Sequence, residues 1–155
     1  MTKETTAGPR SAAPTAVIAE DGGADGPITQ DQVSIQLPAE GAYLSVLRTA
    51  TAGLAARLDF TLDEIEDLRI AVDEACGMLL AQAPPDASLE CDFTLDEDRM
   101  SVAVSAASRH GQPPARDTFA WTVLSALAGS ADAWVGPDGK VTVLLRKVRG
   151  TSRPG

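Results

Sequence analysis

The sequence predicts an α/β (α+β) fold, a two-layer sandwich of about three helices on a mixed, mostly antiparallel sheet. Three observations predict it. The elements run strand, two helices, two strands, helix, two strands. Each of the two later strand pairs is joined by a short turn, as in a β-hairpin. The three helical segments are amphipathic, so each needs an apolar surface to cover, and one sheet offers that surface to all three.

The predicted domain covers residues 31–149 and begins with a strand and a helix. Residues 32–37 alternate apolar and polar side chains, as a half-buried strand does, and residues 43–58 carry leucines at helical spacing. Residues 1–30 are rich in Ala, Thr, Gly and Pro and have few large apolar side chains, so we expect a disordered tail. Residues 150–155 are expected to fray.

The stretch 58–82 is the most informative helical segment. Thr61 and Glu64 have the spacing of a capping box, in which each side chain accepts a hydrogen bond from the other residue's amide. Pro84 ends the helix, since proline lacks an amide hydrogen. The apolar face recurs at steps of three and four residues: Leu62, Ile65, Leu68, Val72, Ala75, Cys76 and Leu79. Glu74 falls in this otherwise apolar half, where a carboxylate is either solvated at an edge or functional.

Two hairpins and a third helix complete the predicted fold. The hairpins pair residues 88–95 with 99–106 and residues 131–135 with 140–148. The third helix, residues 118–129, lies between the hairpins, and the Gly- and Pro-rich residues 109–116 form a loop before it. The expected buried side of this helix is Phe119, Val123, Leu124 and Leu127.

Composition excludes several classes of function. The formal net charge of −9 argues against nucleic-acid binding, which needs clustered Lys and Arg to neutralise phosphate. No apolar run is long enough to span a membrane and no signal-peptide core is present, so we expect a cytoplasmic protein without a membrane partner. His110 is the single histidine, and we predict no metal site. Cys76 and Cys91 are expected to be reduced core thiols.

The segment LDFTLDEIEDLRIAVDEACGML resembles the corresponding helix of the anti-sigma factors with a histidine-kinase-like (Bergerat-type) ATPase fold. The matching residues are Leu58-Asp59, Thr61, Asp63-Glu64 and Asp73-Glu74-Ala75. The resemblance implies a homodimeric bacterial switch protein that sequesters an alternative sigma factor and is released by an anti-anti-sigma antagonist. Arg48 falls where the family carries an arginine that contacts both partners. The other interpretation of Arg48 is a solvated helix arginine.

Three boxes that bind ATP in this family are altered here. Glu74 keeps the position of the family's catalytic base, but Met78 replaces the asparagine that ligates Mg²⁺, and a thioether is a poor ligand for this hard cation. The box whose aspartate reads adenine corresponds to residues 105–109, which begin at Ser105 and contain no acid. The glycine-rich phosphate box corresponds to residues 118–121, with Thr118 and Ala120 at the nucleotide-binding positions.

These alterations predict that ATP binding is weak or lost, and we predict no cofactor. Glu74 is then a vestigial base. Phe119 and Trp121 would fill the vacated nucleotide pocket, or they would be ordinary core residues. The alternative function is an active serine kinase that uses ATP and Mg²⁺ to phosphorylate the anti-anti-sigma protein.

Overall fold

The strands and helices occur in the predicted order in the computed structural model, which describes residues 30–150. Their bounds are β1 (Asp31–Pro38), α1 (Leu44–Arg57), α2 (Leu62–Leu80), β2 (Ser88–Leu95), β3 (Arg99–Ala107), α3 (Phe119–Ala128), β4 (Ser130–Val135) and β5 (Lys140–Val148). A 3₁₀ turn, Gly41–Tyr43, leads into α1. The tails predicted to be disordered or frayed lie outside the described residues, apart from Gln30 and Gly150.

One sheet contains the five described strands in the order β1-β2-β3-β5-β4. All four neighbouring pairs are antiparallel, so the mostly antiparallel sheet is confirmed, and the part of the chain that is described adds no parallel pair to it. The helices pack on one face of this sheet, with α2 between α1 and α3. The predicted two-layer α+β sandwich is therefore confirmed.

The core lies between the sheet and the helix layer. In β2 and β3 every second side chain is buried, and the side chains between them are half-buried or exposed. The buried residues of these two strands are Leu89, Cys91, Phe93, Leu95, Met100, Val102, Val104 and Ala106. Those of α2 are Leu68, Ala71, Val72, Ala75, Cys76 and Leu79. The period of two in the strands thus fixes which face of the sheet the helices cover.

The start of α2 has the predicted capping box. Thr61 Oγ1 accepts a hydrogen bond from the Glu64 amide at 3.1 Å, and Glu64 Oε1 accepts one from the Thr61 amide at 2.8 Å. Glu64 Oε2 also accepts a hydrogen bond from the backbone amide of Gly150 at 2.5 Å. One carboxylate therefore caps the central helix and ties the end of the domain to it.

Two predicted core positions are wrong. Leu62 and Phe119 were expected on buried helix faces, and each is 83% exposed. At 3.6 residues per turn, Leu62 points about 240° around the helix from the buried Leu68, and Phe119 about 140° from the buried Leu124. Leu124 is buried as predicted and Leu127 packs against the core, and Trp121 and Ala128 complete the buried side of α3. Because α3 contains no charged residue, its sequence could not indicate which side faces solvent.

Cys76 on α2 and Cys91 on β2 are buried free thiols that face the same core. Burial raises the pKa of Cys76 to about 12, with a smaller contribution from the nearby Asp73 carboxylate, and burial also raises the pKa of Cys91. Both thiols are therefore neutral at physiological pH, and neither has the thiolate character that redox-active cysteines require.

We expect alkylation of both thiols by iodoacetamide at pH 8 to be at least about 100-fold slower in the folded chain than in urea, because only the thiolate reacts. Mass spectrometry of the two alkylated peptides measures this. We also expect stability to fall as pH rises above 9, the ordinary pKa of a thiol, because the unfolded chain then loses thiol protons that the folded chain keeps. Equal alkylation rates with and without urea would contradict the burial of these thiols.

Candidate functional site

The two flanks of α2 carry different sets of predicted site residues. Glu74 and Met78 are one helical turn apart, so they share a flank, and both are half-buried. Met78 lines a cleft between α2 and the loop that precedes α3 in the sequence. Asp73 lies on the other flank, where it bonds to Arg48 of α1. The structure therefore separates the predicted nucleotide side of α2 from the predicted partner side.

The cleft on the Met78 flank is small and largely apolar. It has no interior space for even a water-sized molecule and is lined by Met78, Leu79, Gln82, Ala107, Ser108, Gln112, Pro114 and Val141. Pockets that bind cofactors usually enclose about 300–1,000 Å³. None of the lining residues is a carboxylate, although Mg²⁺ prefers hard oxygen ligands. The walls of this cleft therefore provide neither the space nor the carboxylates that are typical of a Mg²⁺–nucleotide site.

Residues 108–116, which we call the cover loop, are bonded to the rest of the domain near both ends. At the first end, Ser108 Oγ donates to Gln82 Oε1 at 2.9 Å, and the Arg109 amide donates to the Gln82 carbonyl at 2.8 Å. Ser108 Oγ also accepts hydrogen bonds from the amides of His110 and Gly111, at 3.2 and 3.0 Å. This end of the loop is thus fixed to the C-terminal end of α2.

Arg116 holds the second end of the cover loop. Its Nη2 donates to Asp132 Oδ1 at 2.6 Å and to the Ala133 carbonyl at 3.0 Å, both on β4. Its guanidinium also lies over the Trp121 ring, 5.0 Å from the ring centroid. The hydrogen bond from Arg116 lowers the pKa of Asp132, with a smaller contribution from the Ala133 amide. Three types of contact therefore join the loop to α3 and β4.

Ser105 is not brought to the cleft. It lies on β3 between buried neighbours, so its side chain is on the sheet face away from the helices. There its hydroxyl is 2.7 Å from the Thr142 hydroxyl of β5. The cleft is reached instead by Ala107 and Ser108, two and three residues later. A short sequence box without its characteristic residues could not fix this register.

The residues at the predicted phosphate box serve the structure of α3. Thr118 is the N-cap, and its Oγ1 accepts a hydrogen bond from the Trp121 amide at 3.1 Å. Ala120 is half-buried, Trp121 is buried and Phe119 points into solvent. Neither aromatic residue lines the cleft. Trp121 belongs to the core, as in the second of the two interpretations, whereas Phe119 belongs to neither the cleft nor the core. The cleft is narrowed by Met78 and the cover loop.

Arg48 is paired within the domain. Its Nη1 donates to Asp73 Oδ1 at 2.8 Å, and the two side chains are 38% and 41% exposed. The contact is a single hydrogen bond, so the guanidinium keeps further N–H groups for another acceptor. Arg48 is thus held in place by Asp73 and remains open to solvent on the outer side of the α1–α2 pair.

Glu74 has no hydrogen bond or salt bridge from its side chain within residues 30–150. The same residues contain no group of three His, Cys, Asp or Glu side chains that could hold a metal ion. No helix among them is long and apolar enough to cross a membrane. Within residues 30–150, the Glu74 carboxylate thus belongs to no group of metal-binding side chains and accepts no hydrogen bond.

Comparison with known proteins relates the chain to RsbW-type proteins. An anti-sigma-F factor RsbW of Mycobacterium tuberculosis is 36% identical over 96 residues, 62% of this chain and 57% of that protein. A serine-protein kinase RsbW of Bacillus velezensis is 37% identical over 78 residues, 48% of this chain and 49% of that protein. The chain spans about half the length of these curated relatives. No family model matches it.

A solved structure shows the same fold. The RsbU and RsbW domains of Rv1364c from Mycobacterium tuberculosis match with a TM-score of 0.61 at 17% identity, over 81% of this chain and 34% of that one. The chain is therefore related to the RsbW-type anti-sigma factors and serine kinases, and it has the fold found in an RsbW-domain crystal structure.

Proposed function

We propose that this relative of the RsbW-type proteins is an anti-sigma factor that acts in the cytoplasm. It sequesters an alternative RNA polymerase sigma factor as a homodimer and releases it when an anti-anti-sigma antagonist competes for the same surface. The observation that carries the proposal is the 36% identity over 96 residues to an anti-sigma-F factor. Competition of this kind depends on the affinity and concentration of each partner.

The pairing of Arg48 supports its proposed role in binding both partners. A guanidinium that is already oriented loses less rotational freedom when it binds a carboxylate. Arginine is also enriched among the residues that dominate binding energy at interfaces. The α1–α2 surface around Arg48 is accordingly the proposed partner site.

Co-purification from the host tests the proposal. The whole chain is expressed with an affinity tag under conditions in which its sigma factors are made, and the bound proteins are identified by mass spectrometry. We expect one alternative sigma factor to be recovered with the tagged chain. An unrelated acidic protein with the same tag is the control. Recovery of no sigma factor above this control would contradict the proposal.

The alternative function is an ATP-dependent serine kinase that phosphorylates the antagonist. One relative is named a serine-protein kinase, and Glu74 keeps the position of that family's base. Against it stand the small cleft, the thioether of Met78 and the use of the Thr118 hydroxyl as a cap. We therefore favour the anti-sigma function with weak or absent ATP binding.

Calorimetry with ATP and Mg²⁺ separates the two functions. We expect no heat of binding and a thermal shift below about 1 °C at millimolar nucleotide, since a ligand stabilises the fold only if its concentration exceeds its Kd. The Bacillus velezensis serine-protein kinase is the positive control. The Met78→Asn variant shows whether one ligand suffices to restore binding. Micromolar binding by the unaltered chain would establish the kinase as the better proposal.

A further inference from the structure

The cover loop closes the cleft through contacts made entirely by this chain. Ser108, Gln112 and Pro114 of the loop form one wall, and Met78 and Gln82 of α2 form the opposite one. The loop needs no bound molecule to reach this position, because its two anchors are protein groups: Gln82 at one end and Asp132, with its neighbours, at the other.

The interior of the loop is restricted as well. Pro113 and Pro114 have fixed φ angles, and the residue before each proline is confined to extended conformations. Gly111 has a φ of +61°, in the left-handed region that glycine enters readily, and its amide is bonded to Ser108. Few backbone states are therefore open to the residues between the anchors, which lowers the entropy cost of the closed state.

Neither anchor is strong by itself. The Arg116 and Asp132 side chains are 51% and 60% exposed, and exposed ion pairs contribute little. Arg116 adds the Ala133 carbonyl and the face of Trp121, a buried side chain that cannot move away with the loop. Opening of the whole loop must break the Arg116 contacts together with those of Ser108, so the closed state is favoured at both ends.

We propose that the cover loop is a fixed cover, held closed over the cleft by Ser108 and Arg116 whether or not nucleotide is present. This inference rests on the proposed function in one respect, the absence of nucleotide from the cleft. Its consequence is that partner exchange depends on the concentrations of the partners and is independent of a nucleotide-driven movement of this loop.

Hydrogen exchange of the full chain, followed by mass spectrometry, tests the cover. In the unaltered chain we expect the amides of residues 109–111 to be protected and their exchange to change by less than about twofold with millimolar ATP and Mg²⁺. Arg116→Ala should speed loop exchange by about tenfold, the effect of losing contacts that act jointly. Arg109→Ala is the matched control, because Arg109 is an exposed arginine of the same loop.

The exchange rates of the loop amides can contradict the proposed cover in three ways. The proposal is overturned if the loop amides are unprotected in the unaltered chain, or if ATP and Mg²⁺ slow their exchange. Equal exchange rates of the loop in the Arg116→Ala and Arg109→Ala variants would also overturn it. If Arg116→Ala also accelerates exchange throughout β3, a second variant is used. Asp132→Ala removes the exposed carboxylate that accepts the hydrogen bond from Arg116 and leaves the arginine in place. Faster exchange confined to the loop in this variant supports the proposed cover. Unchanged loop exchange in this variant overturns it. Nucleotide binding without any change in loop exchange would count against the proposed function alone.

Discussion

Arg48→Glu is expected to weaken binding of the sigma factor by about 100-fold, the loss typical of an arginine that dominates an interface. The guanidinium is oriented by Asp73 and open to solvent, so a partner carboxylate can bind it without displacing core side chains. The substitution removes this donor and places a second negative charge beside Asp73. Isothermal calorimetry or surface plasmon resonance with the co-purified sigma factor measures the change.

The fold should tolerate the same substitution. Both members of the Arg48–Asp73 pair are more than a third exposed, and such pairs contribute about 0–1 kcal/mol. We therefore expect the melting temperature to fall by less than about 4 °C. Asp73→Ala breaks the pair without reversing a charge, so it reports what the pair itself contributes to stability and to binding.

Arg57→Glu is the matched control for Arg48→Glu. Arg57 is an exposed arginine on the same helix, nine residues further along, so the net charge changes equally at a site about 13 Å away. If both substitutions weakened binding to the same extent, the effect would be long-range electrostatics and Arg48 would not belong to the interface. Unchanged affinity of Arg48→Glu would remove it from the interface directly.

Local signals in the sequence predicted the elements of the fold. The capping box of Thr61 and Glu64 depends on two residues three positions apart, and the hairpins depend on short turns between alternating strands. Such signals are complete within a few residues, so the start of α2 and the pairing within each hairpin could be predicted. The pairing of β1 with β2 and of β3 with β5 joins strands that are distant in sequence, and no local signal indicates it. The exposure of Phe119 could not be predicted, because α3 has no charged residue and only packing against α2 selects its buried face.

The candidate site was harder to predict because its contacts are distant in sequence. Ser108 bonds to Gln82, 26 residues away, and Arg116 bonds to Asp132, 16 residues away. Residues 109–116 were predicted only to be a loop, since Gly and Pro indicate irregular backbone and say nothing about what it covers. The placement of Ser105 on the outer sheet face likewise depends on strand register.

Phe93→Ala is expected to have the largest effect on stability, about 3–5 kcal/mol, the range for removing a buried aromatic ring. Phe93 is fully buried on β2, with Val33 of β1 and Val102 of β3 as its cross-strand neighbours. The cavity would lie on β2, between β1 and β3, and these two strands limit collapse from both sides. Urea denaturation followed by circular dichroism measures the change.

Two further substitutions sharpen the Phe93 result. Thr94→Ala alters the next residue, which is half-buried on the other face of the sheet, and should cost less than about 1 kcal/mol. Phe93→Leu keeps an apolar side chain, so its loss of stability should lie between those of Phe93→Ala and Thr94→Ala. A loss below about 1.5 kcal/mol for Phe93→Ala would mean that the neighbouring side chains collapse into the cavity and would contradict close packing around Phe93.

The Phe93→Leu variant also separates stability from binding. Phe93 contributes to neither the cleft nor the Arg48–Asp73 pair, so a folded Phe93→Leu chain should bind the sigma factor with unchanged affinity while its midpoint in urea falls. Arg48→Glu should do the reverse, losing affinity while keeping its midpoint. If both variants lost affinity in proportion to stability, partner binding would depend on global folding and not on a surface that α1 and α2 present.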